Sequence, residues 1–235
     1  MKLSIVIPAC NEEKRGRPTL EEYINHFSNK YELELVVVLN GCTDGTKDLV
    51  ENFAKERDGI RFMSFPKRLG KGGAIIQGFK FATGDIIGFT DADNSVKAKE
   101  FEKLIIALDE YDGAIASRWL SESKTIVKET KIRKFARWTF RLLTRIFFNI
   151  TFKDSQCGGK VFKGHVVREI TPLLSTTNSS FDIELLYRAK KRGYRIQEVP
   201  VTWLYNMDTR LRLRSVILPM FLSLVKLRIK TSLGH

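Results

Sequence analysis

Ile86-Ile87-Gly88-Phe89-Thr90-Asp91-Ala92-Asp93 decides how this chain is read. An unbroken apolar run of this length, bounded by turn residues, reads as a buried β-strand. It leads directly into two acids one residue apart. Residues i and i+2 of an extended chain project to the same side, so the two carboxylates can converge on one hard cation. Mg²⁺ or Mn²⁺ bound in this way uses one or two carboxylates together with substrate phosphates, and such an ion neutralises a diphosphate leaving group. An arbitrary Asp-x-Asp is more often a pair of solvated acids in a turn. Its place after an apolar strand in an alternating α/β pattern turns the reading toward Asp91 and Asp93 as metal ligands.

Outward from this point, strand and helix signals alternate. Strands are expected at Leu3–Ile7, Glu34–Leu39, Ile60–Phe65, Ile86–Thr90 and Gly113–Ser117. Helices are expected at Thr19–Phe27, Thr46–Arg57, Gly72–Ala82 and Lys99–Glu110. Such alternation predicts an α/β fold, a mostly parallel sheet flanked by helices. Ligands of such sheets sit at the carboxyl ends of the strands. The loops Pro8–Glu12, Asn40–Thr46 and Asp91–Asp93 all follow strands, which places them on one edge.

The second half has a different texture. Lys124–Phe152 sets an apolar stripe (Ile132, Phe135, Trp138, Leu142, Leu143, Ile146, Phe147) beside a basic face, with Trp138 and Phe147 expected in the core. A loop and short strand at Asp154–Lys163, a helix at Phe181–Arg192 and a strand at Arg195–Trp203 follow, then a basic amphipathic segment at Leu211–Ile229. The expected organisation is one domain over 1–205 and a basic appendage over 206–235.

Composition sets outer bounds. The chain has 235 residues, 43% hydrophobic and 29% charged, with a formal net charge of +13. That suffices for a substantial core and implies anionic partners: phosphorylated substrates, an acidic membrane surface or nucleic acid. No helix-turn-helix, zinc-finger or RNP signature accompanies the charge, so nucleic acid is not expected as a partner. The three cysteines, Cys10, Cys42 and Cys157, fit neither a zinc motif nor a disulfide framework, and read as reduced cytosolic thiols. The apolar stretch from Val216 to Val225 is shorter than the ~20 residues a membrane-spanning helix needs.

Three further stretches carry possible chemistry. Asn40–Thr46 joins a strand to a helix, where backbone N–H groups can hold an anion or a base; equally, it is an ordinary turn with Asp44 or Thr46 as N-cap. Arg68-Leu69-Gly70-Lys71-Gly72-Gly73-Ala74 opens a helix without Walker spacing, and Lys71 offers a point charge to phosphate or a solvated helix start. Phe181-Asp182-Ile183-Glu184 can supply a base, Asp182 first and Glu184 next, or be a capped helix start with acids in its first turn.

Taken in order, Pro8-x-x-Asn11-Glu12, Asn40-Gly-Cys-Thr-Asp44-Gly-Thr, Gly70-Lys71-Gly72, Asp91-Ala92-Asp93 and Ser117-Arg118 resemble glycosyltransferase family 2, of GT-A fold. Asp154-Ser-Gln-Cys-Gly-Gly-Lys160-Val-Phe162 and Phe181-Asp182-Ile-Glu184-Leu-Leu-Tyr resemble its polyprenyl-phosphate branch, the second stretch closer to the glucosyl type. The resemblance spans Lys2 to Trp203. It implies that Pro8, Asn11, Glu12, Asn40 and Asp44 cradle the nucleoside of a nucleotide diphosphate sugar, with Lys71 and Ala92 beside them. It implies Asp91 and Asp93 at the diphosphate, Asp93 as main ligand of Mg²⁺ or Mn²⁺, and Arg118 and Arg133 on the phosphate of a polyprenyl or dolichyl acceptor. Two departures stand out. Leu39-Asn40 replaces what are often two acids, which leaves the base open. Ser95 replaces the Gln usual in mannose synthases, so the third metal ligand and the mannose assignment do not carry over.

The expected activity is inverting transfer of a hexose, from a UDP-glucose or GDP-mannose type donor, to a polyprenyl phosphate. An acceptor phosphate is already ionised, so catalysis reduces to positioning and charge stabilisation by Asp93 and Arg118. A hydroxyl acceptor would instead require Asp182 as base. Arg133–Phe152 and Leu211–Ile229 are expected at the headgroup region, peripheral on the cytoplasmic face of a membrane.

Overall fold

The computed structural model describes residues 1–125, 131–178, 180–203 and 213–232, and gives the backbone alone for 125, 131–136, 213–220 and 232. Seven strands form one sheet in the order β3-β2-β1-β4-β7-β5-β8. They are β1 (Lys2–Ala9), β2 (Glu32–Asn40), β3 (Ile60–Phe65), β4 (Ile86–Phe89), β5 (Gly113–Ser117), β7 (Lys160–Lys163) and β8 (Ile196–Pro200). A parallel pair, β6 (Lys124–Thr125) with β9 (Thr202–Trp203), stands apart. The helices are α1 (Gly16–Phe27), α2 (Thr46–Glu56), α3 (Lys71–Phe81), α4 (Ala98–Ile106), α5 (Lys131–Phe148), α6 (Gly164–Ile170), α7 (Phe181–Lys191) and α8 (Leu213–Ser232).

The apolar runs of the first half become central strands because both of their faces are covered. In β1 and β2, Ile5, Ile7, Leu35, Val37 and Leu39 enter one core with Leu20, Tyr23 and Phe27 of α1 and Phe101 and Leu104 of α4. The alternate residues Val6, Val36 and Val38 enter the other, with Ile75 and Phe79 of α3, Phe148 of α5, Phe181 and Leu185 of α7, and Leu224 and Leu227 of α8. The period of two thus divides one hydrophobic run between two layers.

The sheet is mixed. β7 is antiparallel to both neighbours, Gly88 facing Val161 on one side and Ala114 facing Val161 on the other. It joins β4, which leads to the acidic pair, to β5, which ends at Ser117-Arg118. The sequence shows β7 only as a short strand after a loop, and apolar periodicity carries no strand direction. Helix α6 is likewise absent from the sequence reading. The outcome for Trp138 is the reverse of the sequence expectation: it is 53% exposed, because α5 presents that face outward. Phe147 does pack against the core. Within the expected 206–235 appendage, helix α8 buries Leu224 and Leu227 in the second core.

Candidate active site

The carboxyl ends of β1, β2 and β4 and the start of α3 enclose a cleft of about 420 Å³. Pro8, Glu12, Asn40, Lys71, Asp91, Ala92 and Asp93 line it, joined by Ala9, Cys10, Arg68 and Gly70.

The acidic loop is fixed from beneath by one face of α1. Thr19 Oγ1 donates to the Ala92 carbonyl at 2.7 Å and the Tyr23 hydroxyl to the Val96 carbonyl at 2.8 Å. Glu22 accepts from Asn94 Nδ2 at 2.8 Å and from the Ala98 N–H at 3.0 Å. Residues 19, 22 and 23 share a face by helical spacing. Burial raises the Tyr23 phenol far above its ordinary value, keeping it a neutral donor. Burial opposes ionisation of Glu22, but its hydrogen bonds outweigh this and hold the carboxyl below its usual range.

Within the cleft, Lys71 Nζ lies 2.6 Å from Asp91 Oδ1. Burial alone would raise the Asp91 carboxyl; the Lys71 ammonium, with Lys160 and Arg118 behind it, reverses the sign and lowers it. The other Asp91 oxygen faces Gly158, where an added Cβ would lie 2.0 Å from Oδ2. Asp93 Oδ1 accepts the Ser95 N–H at 3.0 Å. Glu12 pairs with Arg15 (Oε2 to Nε, 2.8 Å), and burial, with Asp93 and Asp91 adding to it, raises its carboxyl against the pull of Arg15.

Asn11 and Asp44 lie outside the lining and knit two loops together. Asn11 Oδ1 accepts the Thr43 N–H at 2.8 Å, while Asp44 accepts from the N–H groups of Thr46 at 3.1 Å and Glu13 at 3.3 Å.

Beyond β5, the Arg118 guanidinium binds Asp154 through two parallel bonds, Nε–Oδ2 at 2.6 Å and Nη2–Oδ1 at 2.9 Å, a strong charge-assisted arrangement. It stands 5.1 Å from the Trp203 ring and 5.6 Å from that of Trp119, and Arg137 stacks 3.6 Å over Trp119. Glu198 of β8 holds this acid in turn, accepting the N–H groups of Lys153 at 2.9 Å and Asp154 at 2.7 Å. The side chain of Arg133 lies outside the described residues.

Asp182 is buried behind the cleft, 2.5 Å from the fully buried Lys160 Nζ, which also donates to the Cys157 carbonyl at 2.7 Å. Burial pushes the Cys157 thiol up to about 11, so it is inert at neutral pH. Glu184, fully buried, accepts the N–H groups of Ser175 and Thr176 at 3.0 and 2.7 Å. It thereby braces the loop whose Thr177 carbonyl receives the Gly73 N–H of α3 at 3.2 Å.

Sequence reasoning missed Arg68, Gly158, Lys160 and Glu198. The first three stand inside stretches quoted above, but only folding shows that Arg68 reaches the lining and that Gly158 touches Asp91. Glu198 had no local signal.

Among the described residues no three His, Cys, Asp or Glu side chains converge to enclose a metal. The cleft instead offers Asp91 and Asp93, and beside Asp93 the buried Ser95 hydroxyl has no hydrogen-bond partner. This hard-oxygen set fits a divalent ion that completes its shell with phosphate oxygens and water.

A mostly parallel sheet with an acidic pair and a lysine at its carboxyl edge is the layout of a GT-A enzyme. The chain matches the model of Glycosyl transferase family 2 over residues 4–165 and belongs to that family. A dolichyl-phosphate beta-glucosyltransferase of Trichomonas vaginalis is 32% identical over 96% of this chain and 70% of its own length. A dolichyl-phosphate beta-glucosyltransferase of Saccharomyces cerevisiae is 32% identical over 99% and 75%. Among solved structures, glucosyl-3-phosphoglycerate synthase from Mycobacterium tuberculosis, in complex with Mn²⁺, uridine diphosphate and phosphoglyceric acid, superposes with a TM-score of 0.65. It is 19% identical over 95% of this chain and 78% of that one, a likeness of fold.

Proposed function

We propose that this glycosyltransferase moves glucose from UDP-glucose to a dolichyl or related polyprenyl phosphate, with inversion, at a membrane surface. The observation that carries the reading is one of placement: Lys71, Asp91 and Asp93 line the cleft at the carboxyl end of β4, and the Asp154-held Arg118 stands on the same sheet edge at the carboxyl end of β5, two strands away. One pole suits a diphosphate, the other a second phosphate. The two beta-glucosyltransferase relatives favour glucose and dolichyl phosphate, and the UDP-bound fold relative favours uridine.

In this mechanism an oxygen of the acceptor phosphate attacks the anomeric carbon, a C–O bond forms, and the bond from that carbon to the diphosphate breaks. UDP departs with the electron pair. The phosphate is already anionic, so no residue has to remove a proton. Lys71 and Asp91 fix the diphosphate end, Arg118 orients the attacking oxygen, and the Asp154 and Glu198 pair keeps Arg118 in place. Asp93 and Asp91 would hold a divalent ion, which would supply positive charge to the leaving diphosphate. We assign Asp182 to holding Lys160, not to base catalysis, because it is buried and engaged. This disfavours a hydroxyl acceptor.

Helices α5 and α8 supply the membrane side. They expose Trp138, Leu142 and Ile146 on one, and Phe221, Leu222 and Ile229 on the other, with exposed Arg141, Arg145, Lys226, Arg228 and Lys230 among them. An apolar face rimmed by cations suits the headgroup region of an anionic bilayer.

The test is transfer of radiolabelled glucose from UDP-glucose to dolichyl phosphate in vesicles, with and without Mg²⁺ or Mn²⁺. Asp93→Ala is expected to abolish metal-dependent turnover. Arg118→Ala is expected to leave UDP binding intact and raise the acceptor KM by an order of magnitude or more. Equal loss of donor and acceptor use would remove Arg118 from the acceptor's phosphate.

A further inference from the structure

We propose that Asn40 is a positioning residue that acts on the donor through Lys71, and does not itself read the nucleobase; this rests on the donor occupying the cleft described above. Asn40 ends β2 and is 6% exposed. Its Oδ1 accepts the Leu69 N–H at 2.6 Å and its Nδ2 donates to the Gly70 carbonyl at 3.2 Å. One carboxamide thus grips the 69–70 segment by a donor and an acceptor at once, which a carboxylate or hydroxyl of similar reach cannot do in the same geometry.

The gripped segment has little freedom of its own. Gly70 has a φ of +79°, and an added Cβ would lie 2.3 Å from the Thr177 carbonyl. The turn is held between Asn40 on one side and the Ser175–Asn178 loop on the other. The next residue is Lys71, the first of α3, whose ammonium reaches Asp91 at 2.6 Å. A shift of the 69–70 peptide is therefore transmitted directly to the cation that meets the diphosphate. An apolar residue at position 40 would leave the part-buried Leu69 N–H without this acceptor and the Gly70 carbonyl with only the Ala74 N–H at 3.0 Å, so the turn would lose its tie to β2. An acid there keeps the first bond and turns the second into repulsion between two oxygens.

Asn40→Asp makes the test sharp because it preserves shape. The charged and titratable groups that share the cleft with position 40 are Arg68, Lys71, Glu12, Cys10, Asp91 and Asp93, and wild type measured at each pH accounts for them. Binding of inorganic pyrophosphate with Mg²⁺, followed by calorimetry, reads Lys71 without any nucleoside. The expectation is that N40D weakens pyrophosphate and UDP by the same factor, about tenfold near pH 8. The deficit relative to wild type shrinks as falling pH protonates the introduced carboxyl, which then donates to the Gly70 carbonyl. Melting temperatures establish that the variant is folded; if N40D does not fold, Asn40→Ser carries the same two-ligand comparison. Weakening of UDP with pyrophosphate unchanged would make Asn40 a nucleoside contact and overturn the inference, as would no weakening of either. Because pyrophosphate binding does not require turnover, failure of the wild type to use UDP-glucose would count against the proposed activity and leave this inference to be decided by calorimetry.

Discussion

Gly158 presents a hydrogen to Asp91 where any other residue would place a carbon. A Cβ added there would stand 2.0 Å from Asp91 Oδ2, which leaves no room for a methyl group unless the acid turns away from Lys71. Gly158→Ala is therefore expected to lower the kcat for glucosyl transfer roughly a hundredfold, the scale set by an ångström of misplacement in a reacting array. The chain should still fold, because Gly158 is not among the residues of positive φ. Steady-state kinetics beside a melting curve would check this; wild-type kcat in G158A would mean that Asp91 orientation is immaterial. Arg118 illustrates the complementary device. Its guanidinium is set by Asp154, so little side-chain freedom would remain to be lost on binding the phosphate proposed for it.

At the scale of elements, α1 makes no entry into the cleft yet governs it. Thr19, Glu22 and Tyr23 hold the 90–98 segment by side-chain bonds to the Ala92, Val96 and Ala98 backbone and to Asn94. Glu22→Ala removes acceptors for a backbone N–H and two side chains. It is expected to cost about 1–3 kcal/mol of stability and to raise the concentration of Mn²⁺ needed for half-maximal activity. A metal titration of turnover unchanged in E22A would show that the loop keeps its shape unaided. The sequence revealed the α/β alternation and the acidic pair because those signals are local: an apolar strand and two carboxylates at spacing two. It did not reveal that Asn40 turns its amide onto Leu69 and Gly70, or that β7 enters antiparallel between β4 and β5. Those depend on contacts between residues about 30 and 70 positions apart, which no local periodicity encodes. Asp182 is the mixed case. Its place at a helix start was legible, but its engagement with Lys160 required the fold.

For the molecule as a whole, the two halves of the chain are woven into one sheet, since β7 bridges β4 and β5. The proposed donor and acceptor poles therefore share one scaffold and should lose structure together. At the opposite, amino-terminal edge, the buried Glu34 ties β1, β2, β3 and the approach to β4. It accepts from Ser4 and Arg61 and from the Thr83 N–H at 2.9 Å and hydroxyl at 3.1 Å. Burial alone would raise its carboxyl, but these donors reverse the sign and hold it below the ordinary value of 4.5. In the unfolded chain the group takes up its proton first as pH falls. The stability it contributes is thus fully present above about pH 4.5 and is lost as pH drops through the lower folded value. Glu34→Gln should accordingly lie about 1–3 kcal/mol below wild type at pH 7, a Tm deficit of several degrees for a chain of this size. The two proteins should converge once pH has fallen below that folded value. Thermal melts from pH 7 down through the acid range decide the matter: a deficit that stays the same size at every pH would mean that packing at position 34, and not its charge, binds these four elements together.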